Sequence, residues 1–183
     1  MRPLLARISQ LYRERRAFRW GVELLGFALV VLAISAWQTR HHVRGAAPAL
    51  RLTTLDGAPA TLADVSGAGG AKPGKKTLLY VWATWCGVCK AESQNIEWVR
   101  ALVGDRARVI SIATGYEHPD EVRRYVAAHP TKYPVLLGDE SVPRALAVQG
   151  YPTIYFLDAD GKISGSVAGY TTTLGLWWRL VAQ

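Results

Sequence analysis

The 183-residue sequence predicts an α/β domain, a mixed central sheet flanked by helices, behind one N-terminal transmembrane helix. Three observations carry this expectation. Strand-like apolar runs alternate with helical periodicity from residue 49 onward. The alternation closes on a strand pair and a helix, so the sheet is mixed. A single apolar run near the N-terminus has the length of a membrane span. The chain then divides into a basic tail (1–19), a span (20–37), a linker (38–48) and a folded domain (49–183). A domain of about 135 residues buries a sufficient core without staples.

The apolar run, Trp20 to Trp37, carries one charge, Glu23, near its start. At 1.5 Å per residue it covers about 27 Å, close to the hydrocarbon thickness of a bilayer. A Trp at each end suits the interfacial belt. Six arginines (Arg2, Arg7, Arg13, Arg15, Arg16, Arg19) precede the run, and Arg40 and Arg44 follow it. The positive-inside bias puts the N-terminus in the cytoplasm and the folded domain outside, facing the periplasm of a bacterial-type inner membrane. Leu4, Ile8 and Leu11 recur at helical spacing, as in a short helix lying on the inner leaflet. Two other readings compete. Ala33-Ile34-Ser35 is a small-x-small triple and Arg15-Arg16-Ala17-Phe18 a loose twin-arginine pattern, as in a cleaved export signal, although Glu14 is wrong for the latter. A buried helix of a soluble protein is the third reading, and the flanking arginines count against it.

The net charge is +8. Residues 1–45 hold eight Arg against two Glu, +6, and the remainder holds fourteen Lys and Arg against twelve Asp and Glu, +2. The basic excess belongs to the tail, so the folded part has no nucleic-acid footprint. His41 and His42 read as solvated linker residues rather than metal ligands.

Within the folded part, Leu50 to Leu55 alternates as a strand and Asp56-Gly57 turns it. Thr61 to Asp64 begins a helical turn, and Ser66 to Lys76 is a Gly- and Lys-rich loop. Gly69-x4-Gly74-Lys75-Lys76-Thr77 approaches a phosphate loop, but Lys76 stands where Ser or Thr is needed and the stretch precedes a strand. Thr77 to Ala83 is a continuous apolar run, as in a central strand buried on both faces. The next helix has Ile96, Val99, Leu102 and Val103 as its apolar face. Val109 to Ala113 is a strand, and Asp120 to Ala128 a helix entered through His118-Pro119 and stopped at His129-Pro130. Tyr133 to Leu137 is strand-like, and Ser141 to Val148 a short helix. Thr153 to Leu157 and Ile163 to Val167 form a strand pair turned at Asp160-Gly161, and Thr171 to Val181 closes the chain as a helix.

Two cysteines make no disulfide scaffold, but Cys86-Gly87-Val88-Cys89 is a lone C-x-x-C at the start of a helix. At that spacing the Cβ atoms lie close enough to bridge. The helix N-terminus favours a thiolate, so Cys86 is expected to be the exposed capping nucleophile and Cys89 the shielded, resolving thiol. Lys90 adds positive charge, and Gly87 allows tight backbone geometry without obstructing a partner. Zinc needs four ligands, and covalent haem needs a His where Lys90 stands. A merely structural disulfide gains little from so short a loop. A Cu(I)-binding module using the same two thiolates is the alternative class, weakened by the lack of any Met beyond Met1. No cofactor is expected.

Val81-Trp82-Ala83-Thr84-Trp85-Cys86-Gly87-Val88-Cys89 resembles the active-site segment of thioredoxin-fold proteins, specifically the membrane-tethered TlpA/ResA/DsbE branch, over residues 49 to 183. The closing segment, Gly169-Tyr170-Thr171-Thr172-Thr173 then Gly175-Leu176, is most similar to ScsD-type proteins, suppressors of copper sensitivity. The resemblance implies a thioredoxin-like fold and a thiol-disulfide oxidoreductase. Its partners would be exported cysteine-containing proteins and a membrane electron carrier, with copper tolerance or reduction for cytochrome c maturation as the pathway. It also implies a buried, proton-holding role for Glu92 and a cis-proline at Tyr151-Pro152 facing the disulfide. Trp85 and Tyr151 would border the substrate peptide; either could instead be ordinary core, a reading that is stronger for Trp82 and Trp98. Val88 departs from the branch, many of whose members have Pro before the second Cys.

Overall fold

The computed structural model describes residues 20–31, 33–34, 43–66 and 74–182. The chain divides into two units, residues 1–40 and 41–183. In the first, residues 20–31 (α1) and 33–34 are helical and exposed. The predicted span runs on through residues 32 and 35–37, which lie outside the described residues, as do the basic tail, His41, His42 and most of the Gly-rich loop. Among the described residues no helix is long and apolar enough to cross a membrane.

The second unit is one eight-stranded sheet in the order β1-β8-β7-β4-β5-β6-β2-β3. Its strands are β1 (Gly45–Ala46), β2 (Leu52–Thr54), β3 (Pro59–Ala60), β4 (Thr77–Trp82), β5 (Arg108–Ala113), β6 (Val135–Gly138), β7 (Thr153–Leu157) and β8 (Lys162–Ala168). Strands β4, β5 and β6 are parallel, while β7 runs antiparallel to β4 and β8 antiparallel to β7. The sheet is therefore mixed, as the sequence predicts. The helices are α2 (Leu62–Ser66), α3 (Gly87–Val103), α4 (Pro119–Ala128), α5 (Ser141–Ala145) and α6 (Thr173–Ala182).

All six residues of β4 are buried, and their alternation divides the core in two. Leu78, Tyr80 and Trp82 pack with Ile96 and Val99 of α3, Val122 of α4, and Leu176 and Leu180 of α6. Leu79 and Val81 face the opposite side, with Leu62 of α2 and with Val142 and Leu146 at α5. A fully covered side chain of this size contributes about 1.5–3 kcal/mol. Buried on both faces, β4 carries the loop that follows it.

Several boundaries differ from the sequence expectation, each for a local reason. The helix expected over Ser141 to Val148 ends at Ala145, because Ala147 takes a left-handed φ of 55°. The strand expected from Tyr133 starts at Val135, since Pro134 has no N–H to give. The last helix starts at Thr173, because Thr172 caps it, its Oγ1 accepting from the Gly175 N–H at 3.2 Å. Leu102 and Trp98 are exposed on the outer side of α3, so neither belongs to the core. Ile96, Val99 and Val103 already fill the face turned to the sheet.

Candidate redox site

Strand register brings four loops to one edge of the sheet. Trp82 pairs with Ala113 across β4 and β5, so the loops leaving both strands emerge side by side. Val81 pairs with Thr153 at the start of β7, which puts Tyr151-Pro152 beside the same end of β4. Thr153 in turn pairs with Ala168, so Gly169 to Thr172 leaves β8 next to Pro152. Ligand sites of open sheets containing parallel strands lie at this carboxyl edge.

Cys86 and Cys89 stand at the centre, joined by a disulfide with S–S 2.08 Å and Cα atoms 5.2 Å apart. Cys86 is the N-cap of α3, and its Sγ accepts from the Cys89 N–H at 3.1 Å. A sulfur in this position is held by an amide donor and by the positive end of a 17-residue helix. The first turn of α3 carries no acidic residue to oppose it. Cys86 is 8% exposed and Cys89 1%. The order of exposure is the expected one, but Cys86 is largely covered rather than open, because the loop from Ala83 turns back and its carbonyl accepts the Cys86 N–H at 3.2 Å.

Gly87 departs from expectation. Its φ is not left-handed, and an added Cβ would meet nothing within 4 Å. It leaves the surface beside Cys86 open and has no backbone role. Val88 and Lys90 are exposed on the same turn.

Trp85, 68% exposed, is part of the rim and not of the core. Its Nε1 donates to the Gly115 carbonyl at 2.9 Å, and its ring meets Tyr151 edge-on with centroids 5.6 Å apart. The Tyr151 hydroxyl in turn accepts from Thr114 Oγ1 at 2.7 Å. The Tyr151-Pro152 bond is cis and Pro152 is buried. Thr114 and Gly115 thus join the rim, which the sequence pattern alone does not single out. Their signal was a Thr-Gly pair directly after a buried strand. Gly115 has φ 66°, and a Cβ there would lie 3.5 Å from Trp85 Nε1 and 3.7 Å from the Tyr151 hydroxyl.

Glu92 lies one turn beyond Cys89 on the buried face of α3 and is fully covered. Its Oε2 accepts from the Thr171 N–H at 3.0 Å and from Asn95 Nδ2 at 3.4 Å, while Oε1 has no hydrogen-bond partner among the described residues. Burial pushes its carboxyl above the usual range, and the two donated bonds pull it part of the way back. Tyr80 reaches the pair from β4, its hydroxyl donating to the Cys89 carbonyl at 2.8 Å. Burial holds that phenol well above its ordinary range. A cavity of about 590 Å³ lined by Leu50, Leu62 and Leu157 contains none of these residues. No metal-holding group of His, Cys, Asp or Glu occurs among the described residues.

A redox cysteine pair capping a helix at the edge of such a sheet defines a thioredoxin-fold thiol-disulfide oxidoreductase. The chain belongs to the AhpC/TSA family, whose sequence model matches residues 43–166. It is 30% identical to the thioredoxin-like protein YneN of Bacillus subtilis over 69% of this chain and 71% of that one. With the thiol:disulfide interchange protein DsbE of Escherichia coli it shares 31% identity, over 52% of this chain and 51% of that one. A thioredoxin-family thiol:disulfide interchange protein from Chlorobium tepidum superposes with TM-score 0.61 at 25% identity, over 76% of this chain and 95% of that one.

Proposed function

We propose that this chain is a membrane-tethered oxidoreductase that exchanges the Cys86–Cys89 dithiol and disulfide with exported cysteine-containing proteins. The observation that carries the reading is the Cys86 sulfur at the N-cap of α3, held by the Cys89 N–H at 3.1 Å beneath a rim of Trp85, Gly115 and Tyr151. In the reduced protein the Cys86 thiolate attacks a partner disulfide. One partner sulfur leaves with an electron pair, and a mixed disulfide remains. Cys89 then loses its proton and attacks Cys86 Sγ. The second partner sulfur leaves, and the Cys86–Cys89 bond forms. The partner gains two electrons and the protein is oxidised; the reverse sequence oxidises a partner dithiol. Glu92 holds the proton that Cys89 gives up, since its buried carboxyl favours the protonated form.

The tether and the compartment rest on the sequence: the apolar run Trp20 to Trp37 and six arginines before it. A membrane electron carrier supplies or removes the electrons, and the similarity of the closing segment to ScsD-type proteins points to copper tolerance as the pathway. A periplasm-active reporter fused after Gln183 works, and one fused after Arg19 does not; the opposite pattern overturns the compartment. Trapping thiols in growing cells and separating the alkylated forms on a gel fixes the direction of electron flow. A mostly reduced pool marks a reductant. A mostly oxidised pool removes that role.

A further inference from the structure

The loop after β8 is fastened to α3 through two buried side chains, Asn95 and Glu92. Asn95, 5% exposed, donates from Nδ2 to the Thr171 carbonyl at 3.0 Å and to Glu92 Oε2 at 3.4 Å. Its Oδ1 accepts from Thr173 Oγ1 at 3.0 Å. A carbonyl can only accept, so the amide nitrogen must be the atom facing Thr171, and its second N–H is the one facing Glu92. Thr171 is gripped twice, because its own N–H donates to the same Oε2 at 3.0 Å. The segment is also tied to the proline loop, where the Gly169 N–H donates to the Pro152 carbonyl at 2.8 Å. With two N–H groups on Oε2, the proton of the neutral acid belongs on Oε1, the oxygen without a protein partner among the described residues.

We propose that Asn95 is a positioning residue for disulfide exchange: together with the Thr171 N–H it occupies Oε2 of Glu92 and so confines the mobile proton to Oε1. The proposal rests on the reading of Glu92 as the proton holder. In the resolving step the Cys89 S–H bond breaks and its proton goes to Oε1 of the Glu92 carboxylate. The Cys89 sulfur bonds to Cys86 Sγ, and the partner sulfur leaves as a thiolate with the electron pair of the broken bond. One negative charge moves from Glu92 to the departing partner, and nothing else is consumed.

The titratable groups facing Glu92 are few. Tyr80 approaches from β4, and the Glu92 charge opposes its ionisation. Cys86 and Cys89 share α3 with it, and the loop of residues 169–173 brings the exposed Tyr170. No cation is paired with Glu92 among the described residues. The two N–H donors are therefore what stabilises the ionised form, and removing one favours the proton.

The test is the pH-rate profile of the full-length protein, reduced and held in detergent, oxidised by glutathione disulfide. Four variants are compared with wild type: Glu92→Gln, Asn95→Leu, Thr173→Val and the double variant Glu92→Gln/Asn95→Leu. Asn95→Leu is expected to move the Glu92-dependent limb to higher pH and to slow exchange at neutral pH about three- to tenfold. Thr173→Val, which removes only the bond that orients the amide, shifts it the same way by less. In the Glu92→Gln background Asn95→Leu changes nothing further. If Glu92→Gln alters the profile while Asn95→Leu and Thr173→Val leave it in place, the proposal fails and the role of Glu92 stands. If Glu92→Gln itself superimposes on wild type, the underlying reading fails and takes the proposal with it. An equal slowing by Asn95→Leu with and without Glu92 reduces Asn95 to a structural residue and overturns the proposal. Thr173→Val decides alone should Asn95→Leu lack a cooperative thermal transition.

Discussion

Trp85 Nε1 donates to the carbonyl of Gly115 across 2.9 Å, so the residue before the redox pair is tied to the loop that leaves the neighbouring parallel strand. Trp82 and Ala113 are register partners, and the two residues lie three and two positions beyond them. The bond fixes an exposed indole as one lip of the site and leaves its face free for a partner. Trp85→Phe keeps an aromatic face and removes the donor. About fivefold loss of kcat/KM on a peptide disulfide is expected, with the rate on glutathione disulfide nearly unchanged. Equal losses on both substrates, measured side by side, would show that Trp85 acts on the cysteines and not on the partner.

Two glycines flank the site and should respond differently. Gly115 has φ 66°, where an L side chain is strained by about 1–2 kcal/mol. Gly115→Ala is therefore expected to lower stability by about 1 kcal/mol and to disturb Trp85. Gly87 has ordinary φ and open space around it, so Gly87→Ala leaves the denaturation midpoint where it was. Urea titrations of both variants check the contrast, and a destabilised Gly87→Ala would restore the backbone role that its geometry denies.

Glu92 makes stability depend on pH with a definite sign. Burial raises its folded-state pKa above the unfolded value of about 4.3, so the folded state binds more protons between those two values. Its favourable contribution is complete below the unfolded pKa and is lost as pH rises through the folded one. The stability of the wild type relative to Glu92→Gln should thus decline with rising pH above about 4. Parallel denaturation curves at each pH, with a constant difference, would mean that the carboxyl titrates alike in both states.

Much of this was legible in the sequence because it follows from period and spacing. The run from Thr77 announced the central strand, and Cys-x-x-Cys after it announced the capped sulfur. Glu92 and Pro152 are placed by resemblance, and the structure buries Glu92 and gives Pro152 a cis bond beside β4. What stayed hidden depended on contacts remote in sequence. Thr114 and Gly115 join the rim only through the β4–β5 register, and Asn95, one turn from Glu92 on α3, meets Thr171 only where the loop after β8 folds back onto that helix. Trp98 and Leu102 misled because an apolar residue on a helix says nothing by itself about which face is covered.

Trapping of mixed disulfides separates the roles of the two sulfurs. Cys86 caps α3 and is the more exposed of the two, whereas Cys89 is sealed beneath it. Cys89→Ala leaves a nucleophile that attacks partners and cannot be displaced, so higher bands should accumulate on a non-reducing gel and vanish with reductant. Cys86→Ala should trap almost nothing. Equal trapping by both variants, or trapping by Cys86→Ala alone, would contradict the account.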